Sequence, residues 1–165
     1  MTILEKIYNK TCSNETLVNS DILGDKDYYR FSWKKGLAIQ QIIQFEKENN
    51  IHIPDEYKRF LQMSNGADLF IVDDDYSSYH LLSLEEMFEE TVSMKECGYD
   101  IRDNLAFFQM EQSDDFLMID PEGEMITYCL AEYDSSEWVR MHTGFNNFML
   151  RLFWANGHPF WEWLL

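Results

Sequence analysis

The chain has 165 residues, 45% hydrophobic and 16% aromatic, which is enough for one packed core and too apolar for a disordered chain. Its net charge of −17 sits in one stretch: residues 68–137 hold twenty acidic side chains against Lys95 and Arg102, whereas residues 1–67 balance nine against nine and residues 138–165 carry Arg140 and Arg151 against Glu162. That charge disfavours nucleic-acid phosphates and anionic membranes, and it suits either solubility or the steering of a basic protein partner.

Thr2, with Glu5 three residues on, is a capping box that opens a helix with Ile3, Leu4, Ile7 and Tyr8 on its apolar face. The first six residues already carry charge and lack an apolar signal core, so the chain reads as cytoplasmic. No apolar run reaches the roughly 18 residues of a membrane span. Residues 11–27 are polar and weakly periodic and read as mostly loop. Residues 28–33 are aromatic and extended, with Trp33 packed on the core. Residues 37–49 form a helix, with Ala38, Ile42 and Phe45 in one stripe that Ile39 and Ile43 widen.

A second helix follows at once, giving a helical hairpin or corner. Pro54 suits its first position, Asp55 and Glu56 complement its dipole, and Tyr57, Phe60 and Leu61 share its apolar face opposite Lys58 and Arg59. Asn65-Gly66 is read as its left-handed stop. The period then changes. Residues 69–72 and 80–82 are short apolar runs around the acidic loop Asp73-Asp74-Asp75-Tyr76-Ser77-Ser78. Ser83 and Glu86 form a second capping box. The helix it opens has Leu84, Met87, Phe88, Thr91 and Val92 inside, Glu85, Glu86, Glu89 and Glu90 outside, and a stop at Cys97-Gly98.

Residues 105–110, 115–120 and 125–130 read as three antiparallel strands. Asp120-Pro121-Glu122-Gly123 between the last two has the type I turn pattern. Residues 131–137 are an acidic loop and residues 138–142 a short edge strand. Thr143 is expected to cap a last helix with Phe145, Phe148, Met149, Leu152 and Phe153 on one face, ended by Asn156-Gly157. The apolar tail 158–165 is expected to pack on the core rather than form an oligomer contact, and monomer and homodimer both stay open. The pattern predicts a single α+β domain over residues 1–165, with an antiparallel or mixed β-sheet packed against several helices.

Residues with reactive side chains do not assemble into a motif. His52, His80, His142 and His158 lie too far apart for zinc spacing, and Cys12, Cys97 and Cys129 form no Cys-x-x-Cys pair. No Gly-x-Gly or Gly-x-Ser-x-Gly occurs. From Asp73, an EF-type calcium loop would need Gly at position 78 and Glu at position 84, where Ser78 and Leu84 stand. The sequence therefore predicts no catalytic residue, cofactor or metal.

One ordered set of motifs is specific in combination: Ile42-Ile43-x-Phe45-Glu46, then Asn50-Ile51-x-Ile53-Pro54-x-Glu56-Tyr57-Lys58-x-Phe60-Leu61, then Asn65-Gly66-Ala67. With Leu82-Ser83-Leu84-Glu85-Glu86, Phe107-Phe108, Phe116-Leu117-Met118-Ile119-Asp120 and the closing Phe145-x-x-Phe148-Met149-x-x-Leu152, the chain resembles the SUKH superfamily over residues 33–153. That superfamily includes the fungal Smi/Knr cell-wall regulators and many bacterial immunity proteins. The resemblance implies a non-enzymatic binding domain. Bacterial members are typically encoded beside polymorphic or contact-dependent toxins, often nucleases, and neutralise them by binding; fungal members imply a regulatory scaffold instead. The contact surface for a basic toxin is expected at Asp73, Asp74, Asp75, Glu111, Asp114 and Asp115, with Tyr76 and Tyr79 as aromatic anchors.

Overall fold

The computed structural model describes residues 1–13, 17–20, 26–72, 79–111 and 113–164. Helix α1 (Ile3–Thr11) starts with the reciprocal bonds that its capping box predicts: Thr2 Oγ1 accepts from Glu5 N at 3.2 Å, and Glu5 Oε2 accepts from Thr2 N at 2.8 Å. Strands β1 (Leu17–Ser20) and β2 (Lys26–Trp33) follow, so the expected loop contains one strand and the start of another. β1 pairs only with β2 among the described residues. A four-residue edge strand is too short for a period-two pattern to stand out.

Helices α2 (Ile39–Asn49) and α3 (Asp55–Met63) make the expected corner, with Asn50 ending α2 at φ 51°. The α2 stripe is narrower than predicted, because Ile42 is buried while Ile43 faces solvent. Pro54 stands just before α3, and its carbonyl accepts the first helical bond from Lys58 N at 2.9 Å. Tyr57, Phe60 and Leu61 are buried as predicted. The stop of α3 differs from expectation. Ser64 leaves the helix in an extended conformation, its hydroxyl 2.9 Å from Lys34 O and 2.7 Å from Gly66 O. Only Gly66 of the Asn-Gly pair takes a positive φ, 97°. Asn65 serves the next helix instead, its Oδ1 accepting from Leu84 N at 2.9 Å.

Strands β3 (Ala67–Ile71) and β4 (Tyr79–Leu81) lead into helix α4 (Leu84–Glu96), opened by the Ser83–Glu86 capping box. Strands β5 (Leu105–Met110), β6 (Phe116–Ile119), β7 (Ile126–Cys129) and β8 (Val139–Met141) complete the sheet. The turn between β6 and β7 closes as predicted, with Gly123 N donating to Asp120 O at 3.0 Å. Among the described residues the eight strands lie in chain order and every neighbouring pair is antiparallel, so the sheet is not mixed.

Register explains the two faces. Ala67, Leu81, Phe108, Leu117, Tyr128 and Val139 are successive partners across six strands and make one apolar row. Helix α5 (Phe145–Trp154) covers that face, with Phe148 5.5 Å from Phe108 between ring centres. The row one residue over runs Ser32, Asp68, His80, Gln109, Phe116 and Cys129 and is polar for its first four members. Near its apolar end, Met94 of α4 lines a pocket with Phe116, Cys129 and Trp138. Where β4 leaves the sheet, Tyr57 reaches in from α3, its hydroxyl 2.6 Å from Leu82 O and 3.1 Å from Phe107 O. A carbonyl that would lack a ladder partner is thereby satisfied.

Thr143 does not cap α5. Gly144 stands at the N-cap with no side chain to offer, and Glu56 of α3 accepts from Asn146 N at 3.0 Å instead. The helix ends at Asn156 (φ 56°) and Gly157 (φ 78°), as the Asn-Gly pair predicts. A Cβ on Gly157 would lie 2.8 Å from the Phe70 ring, so only glycine lets the chain pass here. The tail then folds back as a short 3-10 helix, Phe160–Leu164, that buries Trp161 completely. No helix among the described residues is long and apolar enough to cross a membrane.

Candidate functional site

Four of the expected contact residues, Asp73, Asp74, Asp75 and Tyr76, lie outside the described residues. The chain enters that segment from Val72 and leaves it at Tyr79. Both of these line a cleft of about 480 Å³ at one end of the sheet. Asp115, at the start of β6, and Glu162, on the C-terminal 3-10 helix, supply its carboxylates, and His158 lies between them in sequence. Phe70 and half-buried Tyr29 add aromatic surface.

Tyr79, expected as a surface anchor, is only 5% exposed. It occupies an inward position of β4, its ring stacked 5.1 Å from Phe108, and its hydroxyl donates to Gly157 O at 2.6 Å. Burial, with the charge of Glu162 adding to it, pushes its phenol well above the ordinary range. Tyr79 therefore forms part of the cleft floor and ties it to the tail. Asp115 is also engaged: its Oδ2 accepts from Tyr128 O–H at 3.0 Å and its Oδ1 from Ala131 N at 2.9 Å. Glu111 and Asp114 are exposed on the β5–β6 connection. Asp114 borders the separate pocket of about 140 Å³ over Phe116 and Trp138, opposite Glu90.

A second polar centre, invisible to local sequence patterns, lies on the other face. His80 Nδ1 is 2.6 Å from Asp68 Oδ1 and its Nε2 is 3.1 Å from Glu86 Oε2. Only an imidazolium can donate to both carboxylates. Lys34 Nζ adds an ion pair to Glu86 at 3.0 Å. The Asp68 bond raises the His80 pKa above its ordinary 6.5; burial opposes this and Glu86 reinforces it. Burial would raise the Glu86 carboxyl, but bonds from Ser83, Lys34 and His80 outweigh it and hold the group at about 2.

These shifts give opposite pH dependences. The His80 contribution is complete below pH 6.5 and is lost as pH rises through the raised folded value. The Glu86 contribution is complete above 4.5 and is lost as pH falls toward about 2. The stability difference between the wild type and His80→Asn should accordingly shrink as the pH of urea titrations rises from about 6 to about 9. A difference that grows over that range would contradict an imidazolium held between two carboxylates.

Glu46 has a structural task that no short-range pattern announces. Its Oε1 accepts from Ile53 N at 2.7 Å and pairs with Lys58 Nζ at 2.9 Å, clamping the end of α2 to the start of α3.

Compared with known proteins, residues 36–151 match the model of the SMI1/KNR4 family (SUKH-1), well over half of the chain. The chain belongs to this family. Its SUKH-1 unit runs from just before α2 into α5 and contains strands β3 to β8, the Glu46 clamp and most of the His80 cluster. Helix α1, β1, β2 and the tail carrying Glu162 lie outside the match. YobM of Bacillus subtilis (strain 168), an uncharacterized protein, is 29% identical over 134 residues, which cover 76% of this chain and 70% of YobM.

Proposed function

We propose that this SUKH-1 protein is a non-catalytic immunity protein that binds and neutralises a cognate toxin of the polymorphic or contact-dependent kind. Family membership carries this reading. The confinement of excess negative charge to residues 68–137 supports it. A nuclease is the toxin class that fits best, because a nuclease presents a basic channel for phosphates, and carboxylates can occupy such a channel in their place. The proposed contact surface is the cleft end of the sheet, which carries Val72 and Tyr79, the residues flanking the acidic segment 73–78, together with the β5–β6 connection and the tail.

Co-expression with a toxin encoded by the neighbouring gene tests the reading: growth should be rescued and the two proteins should co-purify. Failure of rescue would remove it, and a chain with no toxin gene beside it would be read as a regulatory scaffold. Reversing Asp73, Asp74 and Asp75 to lysine should weaken toxin affinity by about tenfold or more and flatten its salt dependence. Unchanged affinity and salt slope would place the contact elsewhere.

A further inference from the structure

We propose that the cleft between the β5–β6 connection and the C-terminal 3-10 helix is a guanidinium socket that receives an arginine side chain of the protein partner. The partner's role rests on the toxin-binding reading above; the chemistry of the socket stands on the cleft itself.

The first argument is charge. Asp115 and Glu162 line the cleft, and no Lys or Arg does so among the described residues. The second is unused acceptor capacity. Glu46, Glu56 and Glu86 each accept a backbone N–H, whereas neither oxygen of exposed Glu162 has a donor among the described residues. A carboxylate with both oxygens open is the natural partner of a two-pronged guanidinium.

The third argument is rigidity. Glu162 follows fully buried Trp161, and its own N–H donates to Pro159 O at 3.1 Å, so its backbone is fixed before any ligand arrives. Asp115 is fixed likewise by Tyr128 and Ala131, and each of its oxygens retains a lone pair for a second donor. Glu162 lines the cleft together with Tyr79, whose hydroxyl is itself fixed by Gly157 O at 2.6 Å. The fourth is shape. Half-buried Tyr29 and Val72, 40% exposed, flank the opening, so a long side chain can lay its stem on them while its planar head stacks on an aromatic ring. A lysine ammonium would satisfy the charge and neither the fork nor the stacking. Glu162 lies beyond the SUKH-1 match, so the socket combines the family sheet with a tail outside it.

The probe is N-acetyl-argininamide, titrated into the isotope-labelled full chain and followed by amide NMR, with N-acetyl-lysinamide and neutral N-acetyl-citrullinamide in parallel. The expected result is saturable shifts centred on Tyr79, Asp115, Gly157 and Glu162, about threefold weaker binding of the lysine probe, and none of the citrulline probe. Glu162→Gln, an isosteric change at an exposed position, should weaken arginine binding about fivefold or more while leaving the rest of the spectrum in place. Absence of saturation, shifts dispersed over the acidic segment, an equal response to citrulline, or unchanged binding by Glu162→Gln would each overturn the socket. Growth rescue by the wild type is scored separately. Rescue without probe binding discards the socket alone, and probe binding without rescue discards the toxin.

Discussion

Trp161→Ala is expected to lower the free energy of unfolding by about 3–5 kcal/mol, a large share of the net stability of a domain this size. The indole has no solvent exposure. It stacks on Phe148 at 5.3 Å and meets Tyr79, Phe108 and Tyr128 edge-on at 5.7, 5.9 and 6.4 Å. Alanine would leave a void bounded by α5 and three strands, which cannot all collapse inward. Trp161→Phe separates packing from polarity. The indole N–H is buried without a hydrogen-bond acceptor among the described residues, so phenylalanine loses ring volume but also removes an unsatisfied donor. We expect phenylalanine to cost about 1 kcal/mol or less. Urea unfolding with an unchanged slope measures both. An alanine variant within about 1 kcal/mol of wild type would mean that the tail does not hold the core closed.

Glu46→Ala is expected to cost about 3 kcal/mol. The carboxylate is 12% exposed and Lys58 is 14% exposed, so the pair is largely removed from water. Removing the carboxylate leaves Lys58 with Asp55 at 3.8 Å and leaves the Ile53 N–H without its acceptor. Lys58 keeps some access to solvent, which holds the loss at the low end for a broken interior pair. Glu46→Gln retains an acceptor for Ile53 N–H and gives up only the charge, so it should fall about midway. Because the pair is shielded, its effect should change little between low and moderate salt. Urea unfolding of both variants at two salt concentrations checks this, and an alanine variant as stable as wild type would show that the α2–α3 corner is held by its apolar contacts alone.

What the sequence reveals is local. Both capping boxes, the Asp120–Gly123 turn, the Gly157 stop and the inward faces of α3 and α5 depend on residues within a few positions of one another, and each appears as read. What stays hidden depends on approach in space. Glu56 caps a helix that starts about ninety residues later, and Asn65 reads as a stop for the helix before it but caps the one after. Glu86 reads as a solvated member of an acidic helix face. Only the packing of α4 beside β4 shows that it also holds His80 and Lys34. The candidate site is half legible. Acidic composition points to Asp115, which lines the cleft, but the burial of Tyr79 and the open carboxylate of Glu162 are consequences of how the tail docks.

Strand order also bears on synthesis. Each strand pairs with the one translated just before it, so the sheet can zip together while the chain is still leaving the ribosome. Its apolar row cannot be covered on that schedule. Phe108, Leu117 and Tyr128 precede Phe148 and Trp161 in the chain, so they emerge ahead of the residues that cover them. A sheet formed in that order would present a bare hydrophobic face until α5 and the tail dock on it. That is the state most prone to chaperone capture or aggregation, and the last residues to dock bring it to an end.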